Sequence, residues 1–392
     1  MKIGHKWGIE WSKDIDSISG VELIRLSKYK GHCHHLYFTN PGWYDNNKKV
    51  LMGGDRGNCT NLFGVDLENG EITQLTDHDI RDGLDFAHAC VNQVSNEVHY
   101  WYDRKLWALN LGTFETRPLY TIPEKQNIGM VNATADGKYV IFCMSEDLSD
   151  KIGKIDMMHG YVGFRETWEL HPLCQIVRVP VDGSGKADVI HSAKVWMGHL
   201  NTSSVHPSHL TFCHEGPWEL VDHRIWAMDT DTGKVWPLRK RRGEGERIGH
   251  EYWFADGERV GYHGFFQGKN FLGSVKFDGS DMIEGEFPQH TTHVHSNDHS
   301  LAVGDGAVGG NVLLWQWNGN AYDPPRILCE HRCSMHIQVN HVHPRLSPDG
   351  SYVLFCSDKT GYGSPYIAYL PKDIKSLPFA EEDKRIRTVT TK

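Results

Sequence analysis

Short apolar runs, three or four residues long, recur along the chain behind turns of Asn, Asp, Ser, Pro and Gly, and no long segment carries a helical 3.6-residue period. Lys49-Val50-Leu51-Met52 follows Asp45-Asn46-Asn47, and Val98-His99-Tyr100-Trp101 follows Ser95-Asn96. Tyr139-Val140-Ile141-Phe142 follows Asp136-Gly137, and Leu210-Thr211-Phe212 follows Pro207-Ser208. The series continues with Val260-Gly261-Tyr262 after Asp256-Gly257, Leu301-Ala302-Val303 after Asn297-Asp298, and Tyr352-Val353-Leu354-Phe355 after Asp349-Gly350. A second signature trails each copy, a strand running into a polar or glycine turn, as in Leu106-Trp107-Ala108-Leu109-Asn110 and Ile225-Trp226-Ala227-Met228-Asp229.

Seven copies at a spacing of about 40 to 50 residues match one four-stranded propeller blade each. The predicted fold is therefore all-β, a seven-bladed β-propeller in a single domain over residues 1–392. The interval between the third and fourth copies is longer, and residues 146–173 are expected to form an insertion over one face. The seventh copy ends near Asp373 after three strands, so Val21 to Leu26 is expected to supply the fourth strand and close the ring. A pair of β-sandwiches is the alternative, but it gives no reason for seven copies in phase.

Composition narrows the function. With 39% hydrophobic and 23% charged residues the chain can build a large core, and at a net charge of −9 its only basic run is Arg239-Lys240-Arg241-Arg242, read as a solvated loop. No nucleic-acid partner is expected. Nine cysteines without C-x-x-C spacing suggest free thiols, and no apolar run is long enough for a membrane span, so a cytoplasmic protein with no membrane partner is expected. Serine-hydrolase and phosphate-binding motifs are lacking: Gly183/Gly185 and Gly243/Gly245 have no strand-to-helix context, and the Asp55-Arg56-Gly57 and Asp305-Gly306 turns read as blade loops.

The 25 histidines change the picture. A blade's first strand lines the channel, and the segments in that place contain His32, His34 and His35, then His88, His199, His250, His293 and His295, and finally His341 and His343. Only the third blade, at Ile128-Gly129-Met130-Val131, lacks one. In Gln338-Val339-Asn340-His341-Val342-His343, an extended backbone would put the two imidazoles on one face about 7 Å apart, with a bend bringing the Gln338 amide oxygen to the same point. Such a ring suggests divalent-metal ligation and acid–base work near neutral pH; the alternative is a polar, hydrogen-bonded channel.

The segment Phe212-Cys213-His214-Glu215-Gly216-Pro217-Trp218, running on through Arg224 to Trp226, resembles a signature of the oligogalacturonate lyases, polysaccharide lyase family 22. His32-Cys33-His34-His35-Leu36-Tyr37-Phe38-Thr39, Gly249-His250-Glu251-Tyr252-Trp253 and Gln338 to Pro344 resemble the same family, in the same order along the chain. The resemblance implies a seven-bladed propeller and β-elimination of short galacturonate oligomers, digalacturonate and its unsaturated form, to 5-dehydro-4-deoxy-glucuronate with Mn2+ or another divalent ion. It implies His293, Gln338, His341 and His343 as metal ligands, His250 as general base, and Arg224 facing a small acidic oligosaccharide. His214, His199 and His34 are the further candidates for substrate binding. Trp218-Glu219 departs from the His and Asp expected there, and His295 competes with His293 for the metal. A lyase for another uronate, or a non-catalytic binding propeller, are the alternatives; the sequence gives no oligomeric state.

Overall fold

The structure, a computed structural model, describes residues 2–79, 84–153, 155–157 and 161–380. Each apolar run is the second strand of one of seven antiparallel sheets: Lys49–Arg56, Glu97–Tyr102, Tyr139–Glu146, His209–His214, Arg259–Phe266, Leu301–Gly304 and Tyr352–Ser357. Sheets stacked around an axis bury their middle strands on both faces, so these strands read as continuous apolar runs instead of alternating inside and out. Ile141 and Ile176 of the third blade meet Leu210, Phe212 and Met228 of the fourth in one buried cluster. The protein is a seven-bladed β-propeller.

Ring closure uses more of the N-terminus than one strand. Glu22–Arg25 pairs with Ser364–Tyr369 as the fourth strand of blade seven, and Ser12–Ile15 adds a fifth outside it. Lys6–Ile9 then crosses to blade one and pairs with Glu71–Gln74. Arg56 holds this segment: its fully buried guanidinium donates to both Glu10 carboxylate oxygens at 2.7 and 3.0 Å and lies against the rings of Trp7 and Tyr29. Arg56 is thus an anchor of the closure, not a simple blade turn.

The basic run is a solvated loop only in part: Lys240 and Arg242 are exposed, but Arg239 is not. Arg239 is buried and pairs with Glu246 at 2.7 Å and Glu284 at 2.9 Å, and Arg242 bonds the same two carboxylates. Arg239 and Arg242 are thus paired with carboxylates. All nine cysteines are free thiols. Between Tyr139–Glu146 and Leu173–Pro180 the connection carries two short helices, Ser149–Ile152 and Phe164–Glu169. Trp168 of the second helix lies where a side chain on Gly216 would be, 2.3 Å from a Cβ built there, and Gly216 has φ +141°, so only glycine fits.

The inner strands of blades three, four and five share one irregularity. Pairing slips between Ile128 and Val131, Gly198 and Asn201, and Gly249 and Tyr252, so two residues oppose one in each β-bulge. His199 (φ +44°) and His250 (φ +54°) are the bulged residues of blades four and five. A bulge re-aims its side chain, here into the channel.

Blade seven differs from the extended strand expected at residues 338–343. Gln338–Asn340 is a 3-10 turn closed by Asn340 N donating to Ile337 O at 2.8 Å, His341 is extended, and His343 is left-handed at φ +43°. Pro344 has no N–H to give to a ladder, so the inner strand begins only at Arg345–Leu346. The bend that would swing Gln338 round is therefore a full turn.

Candidate metal centre and channel cavity

His293, His341 and His343 each offer a ring nitrogen, and the three atoms lie within 4.8 Å of one another. Two features explain why they meet. The turn at Gln338 and the left-handed backbone of His343 bring two rings 5.5 Å apart, although their residues would share a face of a plain strand. The neighbouring blade then supplies His293, whose ring centroid lies 5.3 Å from His341 and 4.5 Å from His343.

His293 is held by Asp305. Its Nδ1 lies 2.7 Å from Asp305 Oδ2, which also accepts from the His293 backbone N–H at 3.0 Å. The other oxygen accepts from Thr291 Oγ1, Thr292 N and Ala307 N. Burial would raise the Asp305 pKa, but the His293 hydrogen bond and charge and the backbone N–H donors outweigh it and hold the group well below the carboxylate range. A fixed anion on Nδ1 leaves Nε2 as the ligating atom and makes it more basic. Asp305, read from the sequence as a blade loop, is thus part of the site. Its place opposite His293 follows from the hairpin pairing of Val294 with Gly304, which strand limits alone do not reveal.

The residues present fit a metal. Gln338 Oε1, His341 Nδ1 and His343 Nε2 are buried with no hydrogen-bond partner among the described residues, a costly state for polar atoms unless something outside the chain satisfies them. His343 Nδ1 lies 3.2 Å from His34 Nε2, so its Nε2 is the atom left for a ligand. Burial first, then the charge of His293, pushes His341 down to about 4, and burial holds His343 well below the usual range, so both rings are neutral at pH 7 and able to ligate. Three imidazoles and one amide oxygen suit a divalent ion of borderline hardness. His295 is outside this group; it stacks near Tyr252 and faces the other end of the channel.

His250 lies beside the triad, its ring 4.7 Å from that of His293. Its Nδ1 is 3.0 Å from His263 Nε2, and Trp218 packs edge-on at 5.3 Å. Burial, then the neighbouring His293, His263 and His199 rings and the Arg224 charge, hold His250 far below the histidine range and neutral. Trp218 also lies 2.4 Å from a Cβ built on Gly249, so glycine is required before the base candidate.

The remaining expected residues divide. His199 lines the cavity beside Glu215, 3.4 Å from its carboxylate. His34 reaches the cavity, but its ring contacts His343 and the carbonyl of His341, so it braces the triad instead of presenting a free edge. His214 ends its strand beside the cavity-lining Met197 but does not line the cavity: its ring stacks on Trp226 at 4.5 Å and meets Asp222. Arg224 was expected to offer a free fork, yet the buried guanidinium donates to Glu215 at 2.6 and 3.5 Å, and its Nε is 3.8 Å from Glu251. Glu215 and Glu251 stand inside the motifs quoted above and were given no role; Glu251 is fully buried and neither carboxylate oxygen has a hydrogen-bond partner among the described residues.

His34, His199, Glu215, Gln338 and His343 line a cavity of ≈ 620 Å³ at the end of the channel where the inner strands begin, together with Tyr37, His88 and Trp196. The oligogalacturonate lyase family model matches residues 1–314. The chain belongs to that family. Two curated members, the oligogalacturonate lyase of Dickeya dadantii (strain 3937) and the oligogalacturonide lyase of Pectobacterium atrosepticum, are 26% and 25% identical to it, each over 95% of this chain and all of their own length. Family members of known structure superpose closely. An oligogalacturonate lyase in complex with manganese gives a TM-score of 0.85 at 26% identity, covering 95% of this chain and 99% of its own. The oligogalacturonate lyase of Vibrio parahaemolyticus gives 0.84 at 25% identity with the same coverage.

Proposed function

We propose that the chain is a metal-dependent lyase that cleaves digalacturonate and unsaturated digalacturonate by β-elimination to 5-dehydro-4-deoxy-glucuronate, in pectin breakdown. One observation carries this reading: three imidazoles, His293, His341 and His343, and the Gln338 amide converge beside a neutral His250. Elimination requires removal of a proton alpha to a carboxylate, whose own charge opposes carbanion formation. A divalent ion such as manganese, held by ligands that bring no charge, keeps its full charge to offset the uronate carboxylate and the negative charge that develops on it.

The chain's own groups then have defined tasks. His250, with Nδ1 toward His263, presents Nε2 to take the C5 proton. The electron pair of that C–H bond forms the C4–C5 double bond, the C4–O4 bond breaks, and the leaving oxygen takes a proton from water. Asp305 and His34 keep the His293 and His343 rings turned toward the ligand position. Glu215 binds Arg224 and His199 into one wall and fixes the field of the cavity.

The test is the unsaturated product's ultraviolet absorbance, measured with digalacturonate and with other uronic oligomers. Excess chelator should abolish product and manganese should restore it. Full turnover in chelator removes the metal from the mechanism, and preference for another polyuronide replaces the substrate.

A further inference from the structure

The channel has a second cavity at its other end, where the inner strands finish, with a volume of ≈ 440 Å³. The segment after His35 separates the two: Tyr37 lines the first cavity, Phe38 is fully buried under the His250, His293 and His343 rings, and Thr39 lines the second. In a chain of net charge −9, none of the side chains lining the second cavity is acidic. Its one permanent cation is Arg345, partly buried. The guanidinium donates to the Phe38 carbonyl, and among the described residues no carboxylate comes within 4.0 Å of it.

The acidic turns near this end do not supply the missing charge. Asp136 accepts from Thr134 Oγ1 and Lys138 N, Asp256 from Glu258 N and Arg259 N, and Asp349 from Ser347 and Ser351. Each carboxylate is folded into its own turn. Two further polar atoms of lining residues are buried without a partner. Among the described residues His295 Nδ1 has none, and Asn201 Oδ1 has none although Asn201 Nδ2 donates to the His199 carbonyl at 3.0 Å. A guanidinium with no carboxylate beside it, a ring nitrogen and an amide oxygen in one non-acidic hollow are the complement of a small anion that also carries a hydroxyl.

We propose that this second mouth is an oxyanion site, binding the carboxylate of a sugar acid or a free phosphate through Arg345. The reading is independent of the chemistry at the first mouth. Its test is calorimetric titration of the full, metal-free chain with galacturonate, inorganic phosphate and neutral galactose. His341→Ala should leave the binding unchanged, which separates it from the triad. Arg345→Gln should weaken it at least tenfold, and Arg345→Lys should restore part of the loss. Galacturonate the tighter ligand identifies a sugar-acid site, and phosphate the tighter ligand a free-anion site. Ser204→Asp, at an exposed lining position, should weaken binding several-fold without touching Arg345, which covers the case that Arg345→Gln unfolds. No binding of either anion, binding of galactose alone, or Arg345→Gln and Ser204→Asp binding like wild type would overturn the proposal.

Discussion

Two arginines stand toward opposite ends of the same channel, and the protein treats them in opposite ways. Arg224, beside the metal triad, is enclosed by Glu215 and Glu251; burial alone would lower its pKa, but Cys213 and the two carboxylates outweigh it and raise it. Arg345 has burial and, among the described residues, no carboxylate beside it, which pushes its guanidinium down to about 9, still cationic at pH 7. The histidines repeat the contrast over two residues: His293 is gripped by a carboxylate, and His295 Nδ1 has no partner among the described residues. A paired group costs little to keep and serves a fixed geometry, while an unpaired one is costly in the empty protein and repays that cost only when something binds. The first mouth is organised for chemistry, the second for capture.

The contrast is sharpest in stability. Arg224→Met leaves Glu215 and Glu251 as uncompensated buried carboxylates, and loss of one partner from a buried ion pair costs about 3–5 kcal/mol. Arg345→Met keeps the stem and deletes a charge with no carboxylate beside it, so its unfolding free energy should stay within about 1 kcal/mol of wild type, which is the size of the Phe38 hydrogen bond it gives up. Urea denaturation of both variants, metal-free, measures the difference directly. Equal destabilisation would mean that Arg345 has a partner of its own and that the two mouths are not opposites.

How far the chain could be read beforehand follows the same physics. Seven blades were legible because burial on both faces writes continuous apolar runs, and turns such as Asp136-Gly137 punctuate them. His293, His341, His343 and His250 were legible through residue type and the resemblance of their surrounding motifs. The backbone at His343 and Gln338 was not. A left-handed histidine before a proline and a 3-10 turn are set by the packing of the channel, and they break the period-two rule that the sequence obeys elsewhere. Partners in charge were hidden for a related reason. Asp305 meets His293 across a hairpin and Arg239 meets Glu284 across a blade-length separation, so neither pairing shows as local spacing. His214, inside the most family-like segment, turns its ring onto Trp226, because motif membership says nothing about the direction of a side chain.

A smaller effect tests the histidine half of the contrast. Asp305→Asn keeps an oxygen able to accept from His293 Nδ1 but removes the negative charge that makes the opposite ring nitrogen a stronger donor to a metal. Substitution of such a supporting carboxylate typically costs about 10–100-fold in metal affinity, and retention of the hydrogen bond places the expected loss at the lower end. Manganese titration followed by electron paramagnetic resonance reads this without reference to turnover. Anion binding at the second mouth should be unchanged, because Asp305 belongs to the network of Thr291, Thr292 and His293 and lines no part of that cavity. If the variant bound manganese as tightly as wild type, Asp305 would be only a brace for the local loop, and the gripped and ungripped histidines would no longer mark two differently built sites.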